Sequence, residues 1–219
     1  MNMDFERARF NMVEQQIRPW DVLDQDVLDL LFAVKRENFV PPAYRNLAFA
    51  DIKVPLGNGQ TMLEPKVEAR MLQALAPRRA DRVLLVGAGS GYLAALLGAR
   101  ADEVHAIEID PALVAMARNN LEHAHVTNVA VEQGDAVRGW PAHAPYDAIV
   151  LTGSLPALPH ELLAQLKVGG RLCGIVGEPP AMSVQLVTCT AEGVYQTLNL
   201  FETNVAALAN APRKDSFVF

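Results

Sequence analysis

The residues with the clearest chemical potential form a glycine-rich turn after a short apolar run. Gly87, Gly89 and Gly91 alternate directly after Val83–Val86, as expected where a buried strand turns into a helix. Glycine lacks Cβ and accepts positive φ, so a ligand can lie against the main chain. The free N–H groups and positive dipole of the following helix favour a negatively charged ligand group. The turn therefore predicts an anion-binding site, although for Gly87 alone a tight corner without a ligand explains the glycine equally well.

Two later apolar runs lead to acidic residues. Val104–Ile107 precedes Glu108, and Val129–Val131 leads to Asp135. At the carboxyl edge of a nucleotide-binding sheet, Glu108 is placed to hydrogen-bond the two ribose hydroxyls, and Asp135 to reach an adenine amino group. The alternative for Glu108 is a solvated strand end. Asp110-Pro111 is interpreted instead as a helix start, with Asp as the cap and Pro in the first turn.

The glycine spacing separates two kinds of nucleotide ligand. A dinucleotide-binding turn has the pattern G-x-G-x-x-G, but Tyr92 stands where its third glycine would be. The series of glycine turn, acid and Gly134-Asp135 resembles the class I S-adenosylmethionine-dependent methyltransferases, whose glycine turn holds the methionine part of the cofactor. The resemblance implies S-adenosyl-L-methionine as the cofactor. The cofactor-binding residues that it implies are Gly87, Ala88, Gly89, Gly91, Glu108, Ile109, Gly134, Asp135, Ala136 and Thr152.

Composition narrows the class of protein. The chain has 219 residues, of which 51% are hydrophobic, and a formal net charge of −6, enough apolar content for one sizeable core. The acidic balance and the lack of a basic run argue against nucleic acid as a partner. No apolar stretch approaches the roughly 20 residues that span a bilayer, and the first residues lack an apolar signal region. We therefore expect a soluble, cytoplasmic protein that binds neither nucleic acid nor membrane.

Cysteine and histidine placement predicts no metal site. Cys173 and Cys189 lie in apolar, strand-like surroundings and are expected to be packed free thiols, which fits a reducing cytoplasm. The five histidines do not recur with cysteines or acids at metal-ligand spacings. His123-Ala124-His125 falls at a predicted helix C-terminus, where imidazoles interact with the helix dipole.

Periodicity predicts how these motifs are positioned. Two helices, a proline-rich extended segment near 38–44 and a short strand with a glycine turn over 52–61 precede alternating helices and strands. The alternation predicts a parallel sheet covered on both faces. The predicted helices are 4–18, 22–35, 65–76, 91–100, 111–122 and 159–166, and the predicted strands are 82–86, 103–108, 128–132, 147–151 and 170–177, with a closing hairpin over 184–189 and 194–201.

The predicted fold class is α/β. We expect a Rossmann-like class I methyltransferase fold with a mostly parallel twisted sheet, helices on both faces, an N-terminal helical extension and a C-terminal β-hairpin. Residues 1–64 are expected to form the extension and the acceptor-side loop, and residues 65–219 the cofactor-binding core. The expected oligomeric state is a monomer or a homodimer.

Several segments outside the generic cofactor site narrow the resemblance. Over roughly residues 25–178 the chain is similar to the protein-L-isoaspartate O-methyltransferases. This resemblance implies that the protein methylates the free carboxylate of isoaspartyl residues in damaged proteins or peptides, so that the residue can collapse to a succinimide. The segments that carry the resemblance are Arg36–Pro41, Tyr44–Asp51, Pro55–Thr61, Arg82–Tyr92, Gly134–Pro141, Tyr146-Asp147 and Leu166–Arg171.

This chemistry needs alignment more than it needs a catalytic base. A carboxylate acceptor with a pKa of about 4 is already ionised at neutral pH. Well-oriented reactants gain on the order of 7 kcal/mol or more from positioning. Gln60 and Thr61, which follow Gly59, are expected to position the acceptor; the alternative is a simple turn before the helix at Pro65.

Leu63 departs from the pattern of the family, which usually has a serine beside the acceptor carboxylate at this position. Leucine cannot replace that hydrogen bond, and losing a bond to a charged group costs about 1.5–3 kcal/mol. The segment Leu151–Pro156 also departs from the family, and Thr152 or Ser154 is a candidate for a compensating hydroxyl. Two alternatives therefore stay open: a methyltransferase with a changed acceptor, either a small molecule or a dedicated peptide, and a non-catalytic cofactor-binding protein.

Overall fold

The computed structural model describes residues 3–212. Its centre is a seven-stranded sheet of order β5-β4-β3-β6-β7-β8-β9, and β1 and β2 form a separate hairpin. The pairs from β5 to β7 are parallel, and β8 and β9 add antiparallel strands. This mostly parallel sheet and its closing hairpin confirm the predicted α/β fold. The strands are β1 Val54–Gly57, β2 Gln60–Met62, β3 Arg82–Val86, β4 Glu103–Glu108, β5 Val129–Gln133, β6 Tyr146–Leu155, β7 Leu166–Glu178, β8 Ala181–Ala191 and β9 Val194–Thr203.

Helices occur near all the predicted positions, with one change in helix type and one in length. The first continues as a π-helix over Met12–Ile17. The helix predicted over 159–166 ends at Leu163, because β7 begins at Leu166. Within residues 3–212, none of the helices combines the length and the apolar character needed to cross a membrane. The α-helices are α1 Phe5–Asn11, α2 Gln25–Ala33, α3 Pro65–Leu75, α4 Tyr92–Gly98, α5 Pro111–His123 and α6 His160–Leu163.

The prediction of an extended segment near 38–44 was wrong. A 3₁₀-helix runs over Pro42–Leu47, and another over Arg36–Asn38. Pro41 is extended, with ψ of 143°, but Pro42 opens the helix. Proline suits that position because its fixed φ matches the first helical turn, where its missing N–H has no partner to lose.

The two faces of the sheet carry two apolar clusters. Along β3, Val83 and Leu85 face one cluster and Leu84 and Val86 face the other, as strand alternation requires. Residues of α1 to α5 cover the first face. The second face is covered by α6, by the segment 134–145 and by Leu208 and Ala211 of the C-terminal segment.

The two cysteines are buried free thiols, as predicted. Cys173 packs in the first cluster and Cys189 in the second. Burial raises the pKa of the Cys173 thiol to about 12, so the group stays protonated at neutral pH.

A buried ion pair fastens the N-terminal segment to the core. Arg36, between α2 and β1, pairs with Glu68 of α3, and both side chains are almost fully buried. Arg36 Nη2 also donates to the Leu63 carbonyl at 2.8 Å. Burial raises the pKa of the Glu68 carboxyl to about 7, against the opposing effect of Arg36. The guanidinium therefore compensates a costly buried carboxylate and holds the backbone at Leu63.

We expect Arg36→Met to lower the free energy of unfolding by about 3–5 kcal/mol at pH 8, because it leaves the Glu68 carboxylate buried without a cation. The matched control is Arg18→Met, which breaks a half-exposed pair with Glu14 and should cost at most about 1 kcal/mol. Urea denaturation of both variants measures the difference.

The loss in Arg36→Met should shrink as the pH falls. Without Arg36 the pKa of folded Glu68 rises above its present value of about 7. Between about pH 7 and that raised pKa, the folded variant binds a proton that neither the unfolded chain nor the folded wild type binds, so the loss shrinks as the pH falls through this range. Equal stability of Arg36→Met and wild type at pH 8 would contradict this account of the pair.

Candidate functional site

A cleft opens at the carboxyl end of the parallel strands. Ala88 and Gly91 are absent from its lining, whereas eleven of the thirteen site residues predicted from the sequence line it. Those eleven are Gln60, Thr61, Leu63, Gly87, Gly89, Glu108, Ile109, Gly134, Asp135, Ala136 and Thr152.

Gly87 is glycine because the strand beside it leaves no room for a side chain. Its φ is +88°, and a Cβ built on it would overlap the Thr152 hydroxyl. That hydroxyl lies 2.9 Å from the Gly87 carbonyl and 3.1 Å from the Val86 carbonyl, to which it can donate. Thr152 therefore shapes the glycine turn from β6.

The other two glycines serve different purposes. Gly89 has φ of +54° and lines the cleft, where a Cβ would lie 3.3 Å from Leu56. Gly91 has φ of +86°, and a Cβ there would lie 3.2 Å from the Ala117 carbonyl of α5. Gly91 thus allows α4 to begin close against α5, and the neighbouring Ala88 is buried in the core.

Glu108 fixes the turn from the opposite side. Its Oε2 accepts from the Gly89 N–H at 2.9 Å, and its Oε1 accepts from the Asp110 N–H at 3.1 Å. The carboxylate is 6% exposed and lines the cleft. Because a carboxylate offers about four acceptor positions, Glu108 retains capacity for ligand hydroxyls. Asp110 caps α5 and Pro111 opens it, as predicted.

Asp135 joins the cleft to the C-terminal segment. Its Oδ1 accepts from the Val137 N–H at 3.0 Å, and its Oδ2 accepts from the Asn210 side-chain amide at 2.8 Å. An amino group of a base is the same kind of donor as this amide. Asp135 is thus already placed to accept an N–H bond at this end of the cleft.

Sequence reasoning missed the C-terminal segment as part of the site. Val205 to Ala209 line the cleft, held by two backbone bonds to β6: Ser154 N–H donates to the Ala206 carbonyl, and Leu208 N–H to the Ser154 carbonyl, both at 3.0 Å. Leu208 packs against Gly153. Small apolar residues after a last strand form no recognisable binding motif, so the sequence did not indicate that this segment belongs to the site.

The side of the cleft formed by β2 and Leu63, where the acceptor was predicted, combines exposed polar groups with an apolar wall. Gln60 and Thr61 are exposed on β2, whereas Leu63 is 5% exposed, and all three line the cleft. The Thr152 hydroxyl is engaged with backbone carbonyls, and Ser154 lines a neighbouring cavity instead. Neither side chain therefore brings a free hydroxyl donor to this wall in place of the missing serine.

Comparison with known proteins identifies relatives of this chain. The sequence model of the Protein-L-isoaspartate(D-aspartate) O-methyltransferase (PCMT) family matches residues 7–206. The chain belongs to this family. Protein-L-isoaspartate O-methyltransferase 2 of Anaeromyxobacter sp. (strain Fw109-5) is 42% identical over 86% of the chain and 78% of its own length. Protein-L-isoaspartate O-methyltransferase of Methanoculleus marisnigri is 44% identical over 89% of the chain and 88% of its own length.

Solved structures of isoaspartate methyltransferases share the fold. One aligns with a TM-score of 0.77 at 23% identity, over 91% of this chain and 65% of the other. Another, from Plasmodium falciparum and in complex with S-adenosyl-L-homocysteine, aligns with a TM-score of 0.78 at 20% identity, over 94% of this chain and 99% of its own. The sequence matches confirm the family resemblance, and these structures confirm the predicted fold.

We expect Gly87→Ala to destabilise the protein by about 1–3 kcal/mol more than Gly193→Ala, because only the first adds an overlap with a packed side chain. Gly193 is the matched control, since its φ is +70° and a Cβ there meets nothing within 4 Å. Thr152→Ala should relieve the overlap. Chemical denaturation of the two single variants and the double variant therefore gives a coupling of at least about 1 kcal/mol, whereas additive effects would contradict the proposed overlap.

Proposed function

We propose that this chain transfers the methyl group of S-adenosyl-L-methionine to the free carboxylate of isoaspartyl residues in proteins and peptides. The observation that carries the proposal is one cleft that unites the glycine turn, Glu108 and Asp135 with the β1–β2 hairpin, in a chain that belongs to the isoaspartate methyltransferases. The cofactor and the acceptor would meet where the glycine turn faces that hairpin.

The cofactor half of the cleft has groups that suit a nucleoside. Glu108 keeps acceptor positions for the ribose hydroxyls after its two backbone bonds. Asp135 supplies a carboxylate for the adenine amino group, which would share or replace the bond from Asn210. Ile107, Ile109 and Leu113 also line this half and offer apolar contact to the base. The Gly87 and Gly89 backbone gives the methionine part close approach.

The acceptor half of the cleft aligns the acceptor and needs no catalytic base. When bound, S-adenosyl-L-methionine supplies an electrophilic methyl group for in-line displacement. The acceptor carboxylate is ionised at neutral pH, so the chain has to hold one of its oxygens in line. Gln60 and Thr61 supply polar contacts from β2, and Leu63 excludes water from the apolar wall. Arg36 keeps that wall in place through the Leu63 carbonyl.

A second candidate keeps the cofactor and changes the acceptor. One observation favours it: the Leu63 side chain, 5% exposed, lines the cleft at the position for which the family resemblance implies a serine. A less polar wall suits a less polar acceptor, such as a small molecule or a dedicated peptide. The domain division at residue 64, the choice between monomer and homodimer, and the cytoplasmic location stay predictions.

We expect methyl transfer to an isoaspartyl peptide and none to its twin with a normal aspartyl linkage. The measurement is incorporation of label from S-adenosyl-L-methionine into each peptide, with calorimetric titration of the cofactor on the same sample. Transfer to neither peptide, together with saturable cofactor binding, would exclude the isoaspartyl activity and leave the second candidate and a non-catalytic cofactor-binding protein. A folded protein that binds no cofactor would exclude both candidates.

Leu63→Ser should raise kcat/KM for the isoaspartyl peptide about 10- to 150-fold, because a restored hydrogen bond to a charged acceptor contributes about 1.5–3 kcal/mol. Leu56→Ser is the matched control, since Leu56 lines the same cleft from β1 and makes it more polar at a different point. Equal rates for wild type and Leu63→Ser would refute the role given to this position.

A further inference from the structure

A second cluster of side chains lies on the sheet face opposite α4 and α5. His105 of β4, Glu132 of β5 and His143 of the segment 134–145 place one ligand atom each within 4.8 Å of one another. The two imidazole rings stack with centroids 3.8 Å apart and planes 11° apart. These residues are far apart in the sequence, so a search for metal-ligand spacings could not find them.

The topology explains how the three side chains meet. Along β4, His105 points to the same face as Ile107, which belongs to the second apolar cluster. Glu132 lies on that face of β5, because Val131 points to the opposite cluster. The segment 134–145 folds back over this face and places His143 against His105.

The cluster contains buried polar atoms that the protein itself does not satisfy. His105 is nine-tenths buried, and neither of its ring nitrogens makes a hydrogen bond to any residue in 3–212. Glu132 Oε1 lies 3.3 Å from His143 Nε2 and 3.7 Å from His105 Nδ1, without the geometry of a hydrogen bond. A buried polar group that is left unpaired destabilises the folded protein. Such groups call for an occupant that can accept their lone pairs.

We propose that His105, Glu132 and His143 form a binding site for a divalent transition-metal ion of the zinc class. Two imidazoles and one carboxylate are a ligand set that Zn²⁺ takes at about 2.0–2.2 Å, with a fourth position left to water. The ion would satisfy the His105 nitrogen and the Glu132 oxygen together.

The charges around the cluster suit a cation. Glu132 and Glu103 carry negative charge here, and Glu103 Oε2 lies 3.5 Å from His105 Nε2. The nearby cation, Arg82, pairs with Glu103 and also donates to the His143 carbonyl at 3.4 Å. Glu132 and Glu103 together carry more charge than Arg82, which also lies close to the backbone of His143.

Binding requires a small movement of the more exposed ligands. Stacked parallel rings cannot both aim a nitrogen at one ion, so the His143 ring has to turn out of the stack. Its side chain is 39% exposed and that of Glu132 is 36% exposed, which leaves both free to adjust around the fixed His105. A bound ion would then fasten the segment 134–145, which carries Asp135, to β4 and β5.

The test titrates tag-free, chelator-treated full-length protein with Zn²⁺ and, separately, with Co²⁺. We expect one zinc ion per chain by calorimetry, visible d–d absorption for the cobalt form, and a higher melting temperature in zinc. His143→Ala and Glu132→Gln should each weaken zinc binding at least about 10-fold. Both residues are partly exposed, so circular dichroism and melting of the metal-free variants should match wild type. His160→Ala, an exposed histidine on α6, is the matched control and should bind zinc as wild type does.

Three outcomes would overturn the proposal. They are no zinc binding by the wild type, unchanged binding by His143→Ala or Glu132→Gln, and a loss in His160→Ala as large as in His143→Ala. Cofactor binding and methyl transfer do not enter these readouts, so the metal site stands or falls independently of the proposed function.

Discussion

The cleft depends on a turn at the end of β3 that is held in place by side chains of both neighbouring strands, β4 and β6. Thr152 of β6 reaches the Gly87 carbonyl, and Glu108 of β4 accepts the Gly89 N–H. No side chain fits at Gly87, because the Thr152 hydroxyl fills that space. This arrangement is possible because parallel strands end at one edge of the sheet. The residues that are expected to contact the cofactor are therefore also the residues that shape its binding site.

The sequence predicted the part of the site that strands alone determine. Gly87, Glu108 and Asp135 follow apolar runs, and a parallel sheet brings the ends of such runs together. Contacts made after the last strand carry no comparable pattern, which is why Val205 to Ala209 and Asn210 were missed. Gly91 shows a related limit: glycine spacing indicates where a side chain is excluded, but not whether a ligand or a neighbouring helix such as α5 excludes it.

On the side of the cleft proposed to hold the acceptor, one side chain can vary while the backbone stays fixed. Arg36 holds Leu63 through its carbonyl oxygen, and Glu68 holds Arg36. The side chain at position 63 takes no part in either bond. Serine or leucine can therefore occupy position 63 with little change in fold, so the polarity of this wall is separable from its architecture. This separation explains how a chain can belong to the family over residues 7–206 and still carry leucine at position 63.

The two ends of the cleft differ in what holds them. The glycine end is fixed by the central strands β3, β4 and β6. The Asp135 end belongs to the segment 134–145, which lies over the sheet face that α6 and the C-terminal segment cover only in part. The Asn210 side chain holds one end of this segment through its hydrogen bond to Asp135, and the cluster of His143 with His105 and Glu132 lies at the other end. Because Asp135 belongs to the segment 134–145, whatever orders that segment also orders Asp135.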